Sequence, residues 1–253
     1  MGTYLDSSDF SLASSQRDPT RARVRLRAVL ICDVVDSTAI LGTLGDRVAT
    51  DLLRKHDRMA RDQIHQKRGQ EIDKSDGFLV LFAQPADAVG FALAYLRELK
   101  ALAEDAKQHM QARVGIHYGE VLVYENTRDD VEQGAKPMEV EGIAKSIAAR
   151  LMGAAEPNQI LLTRGPFELA RRELEADNAQ ATLRWLKHGR YQIKGLPEAL
   201  EVFEVGDPKI APLRAPSGSS KVSALRHPSR RWLLVLLLVL LAAAVALAVA
   251  YAR

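Results

Sequence analysis

The chain is poor in cysteine and in aromatic side chains, with one Cys in 253 residues and 6% Phe, Trp and Tyr. A single thiol excludes a disulfide framework within the chain and accords with a reducing compartment. Cys32 lies inside a β-branched apolar run, where a small buried residue is expected rather than a reactive thiol. No internal repeat is visible, and His56 and His65, nine apart, have no metal-ligand spacing. An excess of one charge is also missing, at 35 Lys and Arg against 32 Asp and Glu. Residues 206–253 hold seven basic residues and one acid, which leaves 28 basic and 31 acidic residues in 1–205. The body of the chain is thus mildly acidic, and no nucleic-acid face is expected.

What is present is length enough for one well-cored domain with appendages. Residues 1–20 are Ser- and Asp-rich with little apolar periodicity and read as a flexible leader. The domain is expected over 21–205, and 206–231 reads as a basic Pro/Ser linker. From Trp232 to Ala252 there is no charged residue, and the run is too long for an ordinary core helix, so a transmembrane helix is expected at 232–252. Arg226, Arg230 and Arg231 precede it and only Arg253 follows, which puts the domain on the cytoplasmic side of an inner or plasma membrane, with the bilayer as a partner. Ala242, Ala246 and Ala250 form a small-residue stripe on which two such helices could meet.

Within the domain, Arg21 to Arg27 feeds a first strand, and Ser37 or Thr38 opens a long helix. Leu41, Leu44, Val48, Leu52 and Met59 mark its buried face, Arg54, Lys55, Arg58 and Arg61 its solvated face, and Gly69 its end. Glu71 to Phe82 reads as a hairpin with Asp-Gly at its tip. Pro85 opens an Ala-rich helix running to about Ala106. Two strands follow at Ala112–His117 and Val121–Tyr124, then a polar arm to Val140 and a helix over Gly142–Met152. A strand at Gln159–Thr163, a helix at Pro166–Leu174, and strands near Arg184–Leu186, Tyr191–Ile193 and Leu200–Val205 complete it. This is an α+β plan: an antiparallel-rich sheet with helices on one face.

The chemistry concentrates in two stretches. Leu30-Ile-Cys-Asp-Val-Val-Asp-Ser-Thr38 is a strand with an acid at its end, passing into a helix start. Glu71-Ile-Asp-Lys-Ser-Asp-Gly-Phe78 puts a second acid at a hairpin tip. Two acids on neighbouring strand ends suit hard cations, and a helix N-terminus beside them suits phosphate. Metal and triphosphate are the first reading.

Asp33-Val-Val-Asp-Ser-Thr38, Ser75-Asp-Gly77, Arg113-Val-Gly-Ile-His-Tyr-Gly-Glu120 and Gly142-Ile-Ala-Lys-Ser-Ile-Ala-Ala-Arg150 resemble, in order and spacing, the successive motifs of class III nucleotidyl cyclase domains. The resemblance covers roughly residues 25–205 and implies the ferredoxin-like cyclase fold. It also implies conversion of a nucleoside triphosphate, ATP first, to the 3′,5′-cyclic nucleotide and pyrophosphate, for intracellular signalling. Two Mg²⁺ or Mn²⁺ ions per site would be held by Asp33, Asp76 and the carbonyl of Val34. The N–H groups of Asp36, Ser37 and Thr38 would meet the triphosphate. Arg150 matches the family's transition-state arginine, whereas Ser146 stands where the family has asparagine. Ile72 occupies the family's adenine-reading lysine position, with Glu139 as its partner position, and Leu196 stands at a triphosphate-lysine position. Lys74 or Lys136 would be replacement donors to the base. Because the family shares its sites between two protomers, a homodimer is implied. Two alternatives stay open: a non-catalytic dimerising or nucleotide-sensing module, or a cyclase for guanine or a pyrimidine.

Overall fold

The computed structural model describes residues 22–74, 77–176 and 182–225. The expected leader at 1–20, Asp76 at the hairpin tip and the expected transmembrane helix at 232–252 lie outside these residues. No helix among the described residues is long and apolar enough to cross a membrane.

The architecture is a mixed α+β sheet with helices. The first strand, β1 (Arg23–Val34), runs between its two neighbours, β3 (Gly77–Phe82) and β4 (Ala112–Glu125), antiparallel to both. Hairpin partner β2 (Gln70–Lys74) forms one edge. Beyond β4 come β6 (Ile160–Thr163), β8 (Leu200–Gly206), β7 (Arg184–Ile193) and β9 (Val222–Ala224), giving the order β2-β3-β1-β4-β6-β8-β7-β9. A further strand, β5 (Met138–Glu141), pairs with the far half of β4. Only the β4–β6 pairing is parallel among those described.

Alternation along β1 sorts its side chains between two faces. Ala28, Leu30, Cys32 and Val34 enter the main core with α1 (Ser37–Leu44), α2 (Asp46–Gln66), α3 (Pro85–Ala106) and α6 (Arg164–Ala176). Pro85 at the first turn of α3 supplies a preset φ, and its Phe91 and Tyr95 are fully buried, each contributing about 1.5–3 kcal/mol. Cys32 is buried there too, and burial pushes its thiol up to about 12, as expected of a packing residue.

Val29 and Ile31 point to the opposite face, where α5 (Ile143–Ala154) packs with Val29, Leu79, Leu81, Val121 and Val140. The expected one-sided arrangement is thereby corrected: α5 lies on the second face. Gly115 on β4 makes this possible, because a Cβ there would sit 2.2 Å from the Ala148 carbonyl oxygen. The short α4 (Arg128–Glu132), closed by a Thr127–Asp130 capping box, completes the polar arm.

Other expectations change as well. The long helix after Asp36 is two helices, broken at Gly45 with φ 75°. The break resets the helical phase, so Val48 is 57% exposed while Ala49, Leu52, His56, Ala60 and Ile64 face inward. The two strands expected around Tyr118-Gly-Glu120 are one continuous β4, and those around Arg184 and Tyr191 are one β7 with an irregularity at His188. The stretch read as a linker after Gly206 carries β9, paired to β7 through Tyr191–Ala224 and Ile193–Val222.

Candidate functional site

Asp33 ends β1 on the α5 face, and its register partners are Gly77 on β3 and Arg113 on β4. The Arg113 guanidinium donates to Asp33 Oδ2 at 3.0 Å, while Oδ1 has no partner among the described residues. Arg113 Nε is buried and unpartnered. Gly77 is held hard against β1: a Cβ there would lie 2.0 Å from the Cys32 carbonyl oxygen. Gly77, which follows Asp76 in sequence, is therefore immediately beside Asp33. A half-used carboxylate, an adjoining acid in sequence and a strand-end carbonyl are hard oxygen donors, which fits Mg²⁺ or Mn²⁺. Val34 itself is buried, so only its backbone is offered.

Asp36 is left-handed, with φ 53°, and makes no side-chain cap to α1. No acid occupies the first turn of α1, so the leading N–H groups at Ser37 and Thr38 face no built-in carboxylate.

A second feature joins β2 and β5. Ile72 and Glu139 line one cleft of about 300 Å³ with Lys136, Glu141 and Lys145. Glu139 is pinned at both oxygens: Asn126 Nδ2 donates to Oε1 at 2.8 Å and the Tyr124 hydroxyl to Oε2 at 3.0 Å. Those donors, Asn126 first, hold the Glu139 carboxyl below the usual carboxylate range. Ile72 and Glu139, the base-reading positions that the resemblance implies, thus line the same cleft. The proposed replacement donors are otherwise engaged, Lys74 with Asp57 at 2.8 Å and Lys136 with Asp73 at 2.6 Å.

A third feature belongs to α5. Ser146 and Arg150, one helical turn apart, share a cleft of about 440 Å³ with Ser219, Ser220 and Lys221 from the turn before β9. The Arg150 guanidinium lies over Gly195, 3.7 Å from where a Cβ would be, and makes no ion pair among the described residues. Leu196 packs with the apolar cluster of Ile147, Leu151 and Ile193.

The structure does not bring Asp33 and Arg150 together. Asp33 is hydrogen-bonded to Arg113 and is not among the residues that line the Arg150 cleft. Two site residues escaped the sequence reading. Arg113 reaches Asp33 only through cross-strand register, and Lys221 lay in a stretch read as a linker. The Ser-Gly-Ser-Ser-Lys composition at 217–221 was the available signal for the second.

No protein-family model matches the chain, and no curated protein sequence matches it. Solved structures do. Adenylyl cyclase CyaB from P. aeruginosa matches at TM-score 0.64 and 18% identity, over 73% of this chain and 95% of that one. An adenylate cyclase from Trypanosoma brucei, solved in its monomeric state, matches at 0.58 and 19%, over 83% and 97%. The guanylate cyclase domain of RhGC from Catenaria anguillulae, in complex with GTP, matches at 0.60 and 13%, over 73% and 98%. At these identities the likeness establishes the fold: this chain folds as adenylate and guanylate cyclase domains do.

Proposed function

We propose that the chain is a nucleotidyl cyclase, joining the 3′-hydroxyl of a nucleoside triphosphate to its α-phosphorus and releasing pyrophosphate. The observation that carries this is Asp33, ending β1 beside the Gly77 hairpin with one carboxylate oxygen free, on a fold shared with cyclase domains. Asp33, Asp76 and the Val34 carbonyl would hold two Mg²⁺ or Mn²⁺ ions, whose chemistry is to acidify the hydroxyl and neutralise the departing pyrophosphate.

The chain's own groups do the rest. Open N–H groups at Asp36, Ser37 and Thr38 receive phosphate oxygens at the positive end of α1. Arg113, with its spare buried Nε, swings its fork between Asp33 and phosphate. Arg150 neutralises the transferring phosphate, and the Ser146 hydroxyl, shorter than an amide, reaches the ribose. Glu139, ionised and immobilised, accepts from an exocyclic amino group above the apolar wall of Ile72. ATP is the substrate assigned first.

Asp33 pairs with Arg113 and does not line the Arg150 cleft of its own copy. Two copies facing through the α5 side would bring the acid end of one to the Arg150 cleft of the other, so the active form is a homodimer. The apolar run at 232–252 would anchor it in the inner or plasma membrane with the domain cytoplasmic.

One observation favours a second reading, a base other than adenine. Ile72 offers no donor to a ring nitrogen, Lys74 is paired with Asp57, and Lys136, in the same cleft, is paired with Asp73. The test covers both. The full chain, in mild detergent, is incubated with ATP, GTP, CTP and UTP separately, with Mn²⁺ and then Mg²⁺, and products are read by mass. A cyclic nucleotide that disappears in Asp33→Ala establishes the enzyme and names the base. No product from any of the four, in a preparation shown to be dimeric, refutes the proposal in favour of a non-catalytic module.

A further inference from the structure

The turn that leads into β9 is built rather than loose. Gly218 takes φ 82°, and a Cβ there would lie 2.7 Å from the Val222 carbonyl oxygen. Ser219 N donates to Val222 O at 2.8 Å and Val222 N returns to Ser219 O at 3.1 Å, closing the turn from both sides. Lys194 N donates to Lys221 O at 2.9 Å, which fastens the turn to the end of β7. Upstream, Glu156 accepts from Ser217 N at 3.2 Å and from Arg214 at 3.1 Å, so the approach to the turn is tied to the segment after α5.

This fixed turn presents Ser219, Ser220 and Lys221 to the same cleft as Ser146 and Arg150. The lining thus holds two cations and three hydroxyls, with no carboxylate. Neither Arg150 nor Lys221 has an ion-pair partner among the described residues. Two unneutralised cations held about one cleft repel each other unless an anion lies between them. An array of ammonium, guanidinium and hydroxyl donors with no competing acceptor is the chemistry that binds phosphate oxygens.

We infer that the 217–221 turn forms, with Arg150, a subsite for the phosphate chain of the nucleotide or for the pyrophosphate it releases, with Lys221 as the residue that touches phosphate. This rests on the cyclase reading for the identity of the ligand, but the subsite itself is tested without turnover. Its consequence for the chain is that the binding site includes the segment between β8 and β9.

The experiment measures binding of inorganic tripolyphosphate to the full chain by calorimetry, in wild type, Lys221→Gln, the double variant Ser219→Ala/Ser220→Ala, and Lys209→Gln, an exposed lysine on another part of the same segment. Lys221→Gln is expected to weaken binding about tenfold and the serine pair a few-fold, with Lys209→Gln unchanged and all melting temperatures equal. In turnover, Lys221→Gln raises KM for the triphosphate about tenfold with kcat within a factor of about three, the pattern of lost uniform binding. Tripolyphosphate that fails to bind wild type, or binds Lys221→Gln as tightly as wild type, overturns the subsite whether or not cyclic product is made. Binding weakened by Lys221→Gln in a chain that makes no cyclic product keeps the subsite and removes the cyclase reading.

Discussion

Replacing Gly115 with alanine tests how α5, and with it Ser146 and Arg150, is seated. The new Cβ would stand 2.2 Å from the Ala148 carbonyl oxygen, 2.4 Å from Met152 N and 3.0 Å from Leu151 Cβ. The first two are backbone atoms of a helix and cannot rotate away. Restoring ordinary contact requires α5 to lift by roughly 1 Å, and overpacking of this kind costs about 1–3 kcal/mol. The upper end is expected, because Ala144, Ala148 and Leu151, all fully buried, lose close contact with the sheet together. For a domain of this size that lowers Tm by roughly 6–12 °C at ~3 kcal/mol. In urea the midpoint falls while the slope stays, since the same surface is exposed on unfolding. Under the proposed cyclase function, turnover at a temperature where the variant is folded is expected to drop about 10²-fold, the cost of a 1 Å misplacement of a positioning helix. Gly42→Ala is the control: nothing lies within 4 Å of its added Cβ, and helix propensity raises stability by up to ~1 kcal/mol. A Gly115→Ala protein that unfolds at the wild-type midpoint would refute the close seating of α5.

Glu204 is fully buried and accepts from Gln159 at 2.8 Å and Leu213 N at 3.0 Å, with His188 Nε2 at 2.7 Å. Glu204→Leu strands those partners and costs about 3 kcal/mol; it also frees the segment after β8, so trypsin should cut faster at Arg214, and an unchanged cleavage rate would remove that role. His117 donates to or accepts from Thr163 Oγ1 at 2.8 Å, and burial pulls its imidazole from 6.5 down to about 4. Because the unfolded chain takes the proton first, stability is complete above pH 6.5 and falls as pH drops toward about 4, by about 3 kcal/mol across that window. His56, also lowered by burial, acts in the same direction. His117→Asn, followed by thermal melting from pH 7 to 4, should flatten most of this slope; a slope identical to wild type would show that His117 does not set it.

Much of this protein is legible from local pattern. The β-branched run ending in Asp33, the β2–β3 hairpin and the Ala-rich helix from Pro85 each carry their structure in composition and period, because strand alternation and helix caps act over a few residues. Ile72 and Glu139 were named together only through the resemblance, and no local pattern in either neighbourhood marks the cleft they line. At the long helix after Asp36 the local signal was misleading, and one residue was responsible. Gly45 split a helix whose apolar spacing looked continuous, and the change of phase turned Val48 outward.

Other features were decided only by packing. Whether α5 covers the second face depends on Gly115 allowing its backbone onto β4, and one glycine among 16 carries no such mark in sequence. Arg113 meets Asp33 through the register of two strands eighty residues apart, and Lys221 shares a cleft with Arg150 because β9 pairs with β7. Sequence determined which elements form and which residues carry charge at their ends, since those follow from short-range sterics and hydrogen bonding. Tertiary structure decided which charged ends meet, because that depends on the order of strands across the sheet and on how closely a helix can approach it.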